Sequence, residues 1–117
     1  MMVDKRGRAA VVVPERVDLV AFFDGQPVEE SQGLTIFQHA DQRGVTLRFS
    51  YDVFERSVQT LIEVLGQPVV VVSHEELATV CLRDGCLVAL CESPGSRTEL
   101  TVDLRVSVSV VWSSLVI

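Results

Sequence analysis

Polar and apolar positions alternate without a break through "VTLRFSYD". Val45, Leu47, Phe49 and Tyr51 fall on one side, and Thr46, Arg48, Ser50 and Asp52 on the other. A period of two predicts a strand with one face in a core and the other in water. Gly44 supplies the turn that returns it onto "LTIFQH", so residues 33–52 read as a hairpin. From Val69 onward the same alternation repeats. "PVVVVS", "LATVCLR", "CLVALCE", "RTELTVDLR" and "VSVSVVWSS" are separated by "HEE", Asp84-Gly85 and "SPGS", which predicts an antiparallel meander. In the last segment Val106, Val108, Val110 and Trp112 share one face; Ser107, Ser109, Val111 and Ser113 share the other. Val111, Leu115 and Ile117 make that outer face unusually apolar, suited to meeting the N-terminal helix or a second chain.

A helical period occurs near the start. "PERVDLVAFFDG" predicts a short helix with Pro14 at the first helical position, Val17, Val20 and Ala21 on one face, and Gly25 just past the end. The following "QPVEES" reads as a loop. "DVFERSVQTLIEVLGQPVVVVS" is ambiguous. As a helix over about 53–65 it has Asp52 and Glu55 as a capping box, an apolar face of Phe54, Val58, Leu61, Ile62 and Leu65, and Gly66 as a stop. As strands, Val58, Thr60, Ile62 and Val64 form one face, and Gly66-Gln67 forms a type II′ turn. Local rules favour the helix. The meander downstream, with a Val-rich partner waiting four residues on, favours strands, and tertiary context overrides local propensity. The fold expected is mainly β, an antiparallel meander, curved sheet or sandwich with one short N-terminal helix; the alternative is α+β with a helix at 53–65.

Composition agrees. Valine dominates an apolar fraction of 48%, which favours strands. A chain of 117 residues suits a single domain, 1–117, able to bury a core without staples, with residues 1–10 as a flexible tail. Sixteen acidic against ten basic side chains leave a net charge of −6. That charge repels nucleic acid and anionic lipid and attracts a basic protein surface. Lys5, Arg6 and Arg8 concentrate basic charge in the tail, so the body is more acidic still. The five-residue run "AAVVV" is too short for a signal peptide, and the C-terminal run, broken by Arg105 and several serines, does not read as a membrane span. The expectation is a soluble cytoplasmic protein.

The three cysteines lie together in "VCLRDGCLVALC" as Cys81, Cys86 and Cys91. Asp84-Gly85 is a two-residue hairpin turn, because both positions accept positive φ. It sets Arg83 opposite Cys86, Leu82 opposite Leu87 and Cys81 opposite Val88. Cys81 and Cys86 are then diagonal neighbours at roughly 7 Å, too far for a relaxed disulfide. Cys91 projects from the other face, so the cysteines are expected to be reduced, and a zinc site is disfavoured.

Motifs for nucleotide binding, serine hydrolysis and zinc peptidase chemistry do not occur. His39 and His74 read as surface or turn residues. The side chains of "HEE" diverge on extended backbone, and the Ser113-Ser114 pair reads as strand spacing. No enzymatic activity, metal or cofactor is expected.

The order "LVAFFDGQPVEE", then "DQRGVTLRFSYDVFERSV", then "VSVVWSSLVI" resembles small bacterial proteins of the immunity-protein type, which neutralise toxins by direct binding. The resemblance covers most of the chain as fold signals, with no functional residues to carry over. It departs from the pattern before the last strand, where Val106 stands in a region that has proline. It implies a protein partner, a basic toxin by charge. Candidate contacts are Glu29, Glu30, Asp41, Asp52, Glu55, Glu75 and Glu76. The alternative is a structural protein that forms a homodimer through Val111, Leu115 and Ile117.

Overall fold

The computed structural model describes residues 9–116. Most of the expected tail, with Lys5, Arg6 and Arg8, and also Ile117, lies outside the described residues. One helix, α1 (Arg16–Phe23), precedes nine strands: β1 (Glu29–Ser31), β2 (Leu34–Ala40), β3 (Val45–Asp52), β4 (Ser57–Val64), β5 (Gln67–Glu75), β6 (Leu77–Arg83), β7 (Cys86–Ser93), β8 (Ser96–Asp103) and β9 (Ser109–Val116). They form two antiparallel sheets, in the orders β1-β2-β3-β4-β5 and β6-β7-β8-β9. Every sheet neighbour is also a sequence neighbour, so the fold is two successive meanders.

Residues 53–65 resolve to turn and strand. Asp52 Oδ1 accepts the amide protons of Phe54 and Glu55, both at 2.9 Å. The Asp52 half of the cap read from the sequence is therefore present, but it closes a tight turn instead of starting a helix. Arg56, at φ 56°, directs the chain into β4. There Val58, Thr60, Ile62 and Val64 stand opposite Tyr51, Phe49, Leu47 and Val45, which aligns the two expected apolar faces. The turn into β5 is Leu65-Gly66, both at positive φ, one residue earlier than expected. A pair of left-handed residues matches strand twist as a type I′ turn does, and Gly66-Gln67 does not supply one.

The Asp84-Gly85 hairpin has the register expected: Arg83 opposite Cys86, Leu82 opposite Leu87, Cys81 opposite Val88. All three cysteines are free. Cys91 is buried, and burial above all, with the Glu76 charge adding to it, pushes its thiol up to about 11. Brief alkylation of the native protein at neutral pH should therefore label the half-buried Cys81 and Cys86 and spare Cys91. In denaturant, mass spectrometry should find all three labelled. Native labelling of Cys91 would show that β7 is not held in the core.

Four further expectations are corrected. The helix starts at Arg16, after a Glu15 N-cap, which puts Pro14 ahead of it. Its buried residues are Leu19 and Phe23, while Val17 is 71% exposed and Ala21 is exposed as well. The Phe23 ring stacks on Phe37 at 4.7 Å and Phe49 at 5.7 Å, a larger apolar contact than valine and alanine could make. The "QPVEES" segment is not wholly loop, because Glu29–Ser31 pairs with β2. Its turn uses Gly33 at φ +92°, where an added Cβ would meet the Phe54 ring at 2.6 Å. Finally, β9 begins at Ser109, and Val106 is 90% exposed in the connection before it.

Both sheets and α1 contribute to one core, including Leu19, Phe23, Phe37, Leu47, Phe49, Leu77, Val80, Leu87, Leu100 and Val102. Trp112 of β9 packs against it and donates its indole N–H to Thr60 Oγ1 of β4 at 3.2 Å, satisfying a hydroxyl that is 1% exposed. The N-terminal segment docks on β6: Val12 forms a parallel bridge with Thr79, through Val12 N to Ala78 O and Val80 N to Val12 O.

Candidate functional site

The strand register gathers most of the expected contact residues at one end of the five-stranded sheet. Ser31, Leu34, Asp52, Ser57 and Glu75 stand opposite one another in a single row from β1 to β5. Glu30 is on the adjoining row with Thr35, Tyr51, Val58 and His74. Glu55 sits in the β3–β4 turn at that end, and Glu76 follows Glu75 into β6. The Glu76 carbonyl accepts the Glu92 amide at 3.0 Å, which brings a further acid to the same edge. Four strand spacings make this rim about 19 Å wide. Glu29 lies one rung inward from Glu30, opposite Ile36.

The acids differ in how they are held. Glu29, Glu30, Glu55, Glu75 and Glu92 are exposed. Glu30 Oε1 accepts Arg16 Nη2 at 2.7 Å, a surface pair that ties β1 to α1. Asp52 has one oxygen committed to the turn described above. Near Glu30, burial raises the Tyr51 phenol above its ordinary value. Under the rim, Arg56 is buried, with Nη1 donating to Ala9 O at 2.7 Å and Nε without a hydrogen-bond partner among the described residues. Its backbone carbonyl accepts the Leu77 amide. This residue was missed in the sequence reading, where "FERS" gave no sign of a buried cation.

Asp41 stands apart, in the β2–β3 turn at the opposite end of the sheet. Its Oδ1 accepts the amides of Arg43 at 2.8 Å and Val45 at 3.0 Å, and Oδ2 accepts that of Val108 at 3.1 Å. These contacts pin the turn to the β8–β9 connection. Hydrogen bonds from Val108 and then Val45 hold the carboxyl below its ordinary value of 3.8. A depressed folded value means that the contribution is complete above the unfolded pKa and is lost as pH falls through the folded one. On acidification below pH 3.8, the amide resonances of Val45 and Val108 should shift together. Independent titration of the two amides would break the proposed clamp.

His39 and His74 are both half-buried in strands. His39 Nδ1 lies 3.3 Å from the Phe23 carbonyl, and the His74 ring stacks on Trp112 at 5.1 Å between centroids. "HEE" is therefore not a separator as expected: β5 runs through Glu75, and Glu76 alone, at φ 62°, turns the chain into β6. Among the described residues no cluster of three or more His, Cys, Asp or Glu is arranged to hold a metal ion. No helix among them is long and apolar enough to cross a membrane.

The expected self-association residues lie on the outer edge of the four-stranded sheet. Val111 and Leu115 are 57% and 60% exposed on β9, and Ile117 lies outside the described residues.

No protein-family profile and no curated protein matches this chain. Among solved structures, it is similar to a chain of the contact-dependent growth inhibition toxin–immunity protein complex from Klebsiella pneumoniae 342. The TM-score is 0.81, at 16% identity, covering 91% of this chain and 98% of that one. The fold is that of a chain in a toxin–immunity complex. The likeness drawn from the sequence is thus met, at the level of the fold, by a chain of such a complex, over nearly the whole of both chains.

Proposed function

We propose that this protein is a non-enzymatic binding module of the immunity type, which neutralises a toxin in the cytoplasm by covering a basic surface on it. The observation that carries the reading is the near full-length fold likeness to a chain of a toxin–immunity complex. The acidic rim supports it independently. Glu29, Glu30, Asp52, Glu55, Glu75 and Glu76 converge at one end of a sheet in a protein of net charge −6, which favours a cationic protein partner over a polyanion. Asp41, committed to backbone amides, contributes to the shape of the opposite end and not to this surface.

The test is to produce the polypeptide encoded beside this chain, alone and together with it. Growth arrest by the neighbour that is relieved on co-production, with a stoichiometric complex recovered from the cells, is the expected result. Arrest that persists with both proteins present and no complex formed would remove the reading.

A further inference from the structure

The two sheets have four edges, and three of them carry features that discourage strand addition. β1 is three residues long and bears Glu29 and Glu30. β5 carries Pro68 at its second position, and a register shift opposite Ile62 and Glu63 leaves Val69 unpaired with β4. The outer edge of β6 is occupied by Val12. Short charged strands, prolines, bulges and covering segments are the devices that keep edges from pairing with other chains. Among the described residues, β9 has none of them. Its eight residues, "SVVWSSLV", pair with β8 without a shift, contain no proline and carry no charge.

We propose that β9 is the seam of a homodimer, in which β9 strands from two copies pair antiparallel about a two-fold axis at Ser113 and extend each four-stranded sheet into one of eight. Charge selects a second copy as the occupant. At net −6, two molecules repel through most approaches, whereas the uncharged edge brings them together without setting acid against acid. Register selects it again. Continuity of the two faces requires each outward residue to meet an outward residue. Pairing centred on Ser113 places Val111 opposite Leu115 of the second copy, and Leu115 opposite its Val111. The two most exposed apolar side chains on the outward face of β9 thereby become cross-strand partners, twice, on either side of a Ser113 self-pair. On the inward face the same register sets Trp112 opposite Ser114 and Val110 opposite Val116. An edge-to-edge seam buries less surface than a standard interface, so the dimer is concentration-dependent.

The test is sedimentation equilibrium of the full chain from low micromolar to millimolar concentration. The wild type should form dimers, and Leu115→Glu should weaken the association about tenfold or more, because the seam contains the substituted pair twice. Val111→Lys combined with Leu115→Glu should restore it, since opposite charges then face each other at both pairs. Under mild oxidation Ser113→Cys should cross-link two copies through the introduced thiols, while the wild-type protein with its three native cysteines should not. Circular dichroism of each variant checks that the fold persists. A wild type that stays monomeric throughout would overturn the proposal and leave the edge to a strand of some other protein. A dimer indifferent to Leu115→Glu, or one that Ser113→Cys fails to link, would overturn it as well by placing the contact elsewhere.

Discussion

Phe23→Ala should destabilise the protein by about 3–5 kcal/mol, the range for removing a buried aromatic from a packed core. Phe23 is 2% exposed, and its ring stacks on Phe37 and on Phe49, so truncation opens a cavity where α1 meets the five-stranded sheet. Those neighbours belong to paired strands and cannot close the gap without breaking the ladder. Val17→Ala, on the exposed side of the same helix, should stay within about 0.5 kcal/mol of wild type. Urea unfolding checks both, read as a shift in midpoint at constant slope. Equal losses from the two substitutions would restore the helix face containing Val17 and Ala21.

Reversing Glu29, Glu55 and Glu75 to lysine should slow association with a basic toxin about 10- to 100-fold while changing dissociation much less, since steering charges act mainly on the encounter rate. These three were chosen because their side chains are exposed and make no structural hydrogen bond among the described residues, unlike Asp52 in its turn or Glu30 on Arg16. Each substitution adds two positive charges, which takes the net charge from −6 to zero. Stopped-flow association at rising salt gives the measurement. The wild-type rate should fall toward that of the variant as the field is screened. Glu63→Lys, on the rung of Thr46 and Pro68 away from the rim, is the control. An unchanged association rate in the triple variant would move the contact surface away from the rim.

The parts of the fold that the sequence made legible are those in which one local interaction settles a register. Asp84-Gly85 fixed the β6–β7 pairing because only a two-residue left-handed turn fits there. Gly44 and the alternation from Val45 to Tyr51 did the same for β2 and β3. Elsewhere the local chemistry was real but served a different structure. Asp52 caps amides two and three residues on, yet Arg56 then leaves the helical region, and Val58 and Ile62 find partners in β3. The helix face was misjudged because period alone does not rank Val17 and Ala21 against Leu19 and Phe23; the buried area of the aromatic ring does. β1 has no apolar alternation to announce it. The acidic rim was legible only as composition: residues 29 and 75 come to one end of the sheet, on its two edge strands, because five strands align their ends, which no spacing in the chain reveals. Arg56 gave no signal at all.

The division into two consecutive meanders also governs how the chain finds its structure. Each ladder between named strands closes on a turn or short connection, so strand pairing needs little loop-closure entropy for an all-β protein. The distant closures are concentrated in a few places: Val12 on β6, Arg56 on Ala9, Asp41 on Val108, and Trp112 on Thr60. Each of these fastens one preformed layer, or the N-terminal segment, onto another. Between the two meanders Glu76 is the sole connecting residue. The search that remains once the hairpins exist is therefore a docking of two plates about a single joint, and the indole of Trp112 reaching Thr60 is the latch that marks its completion.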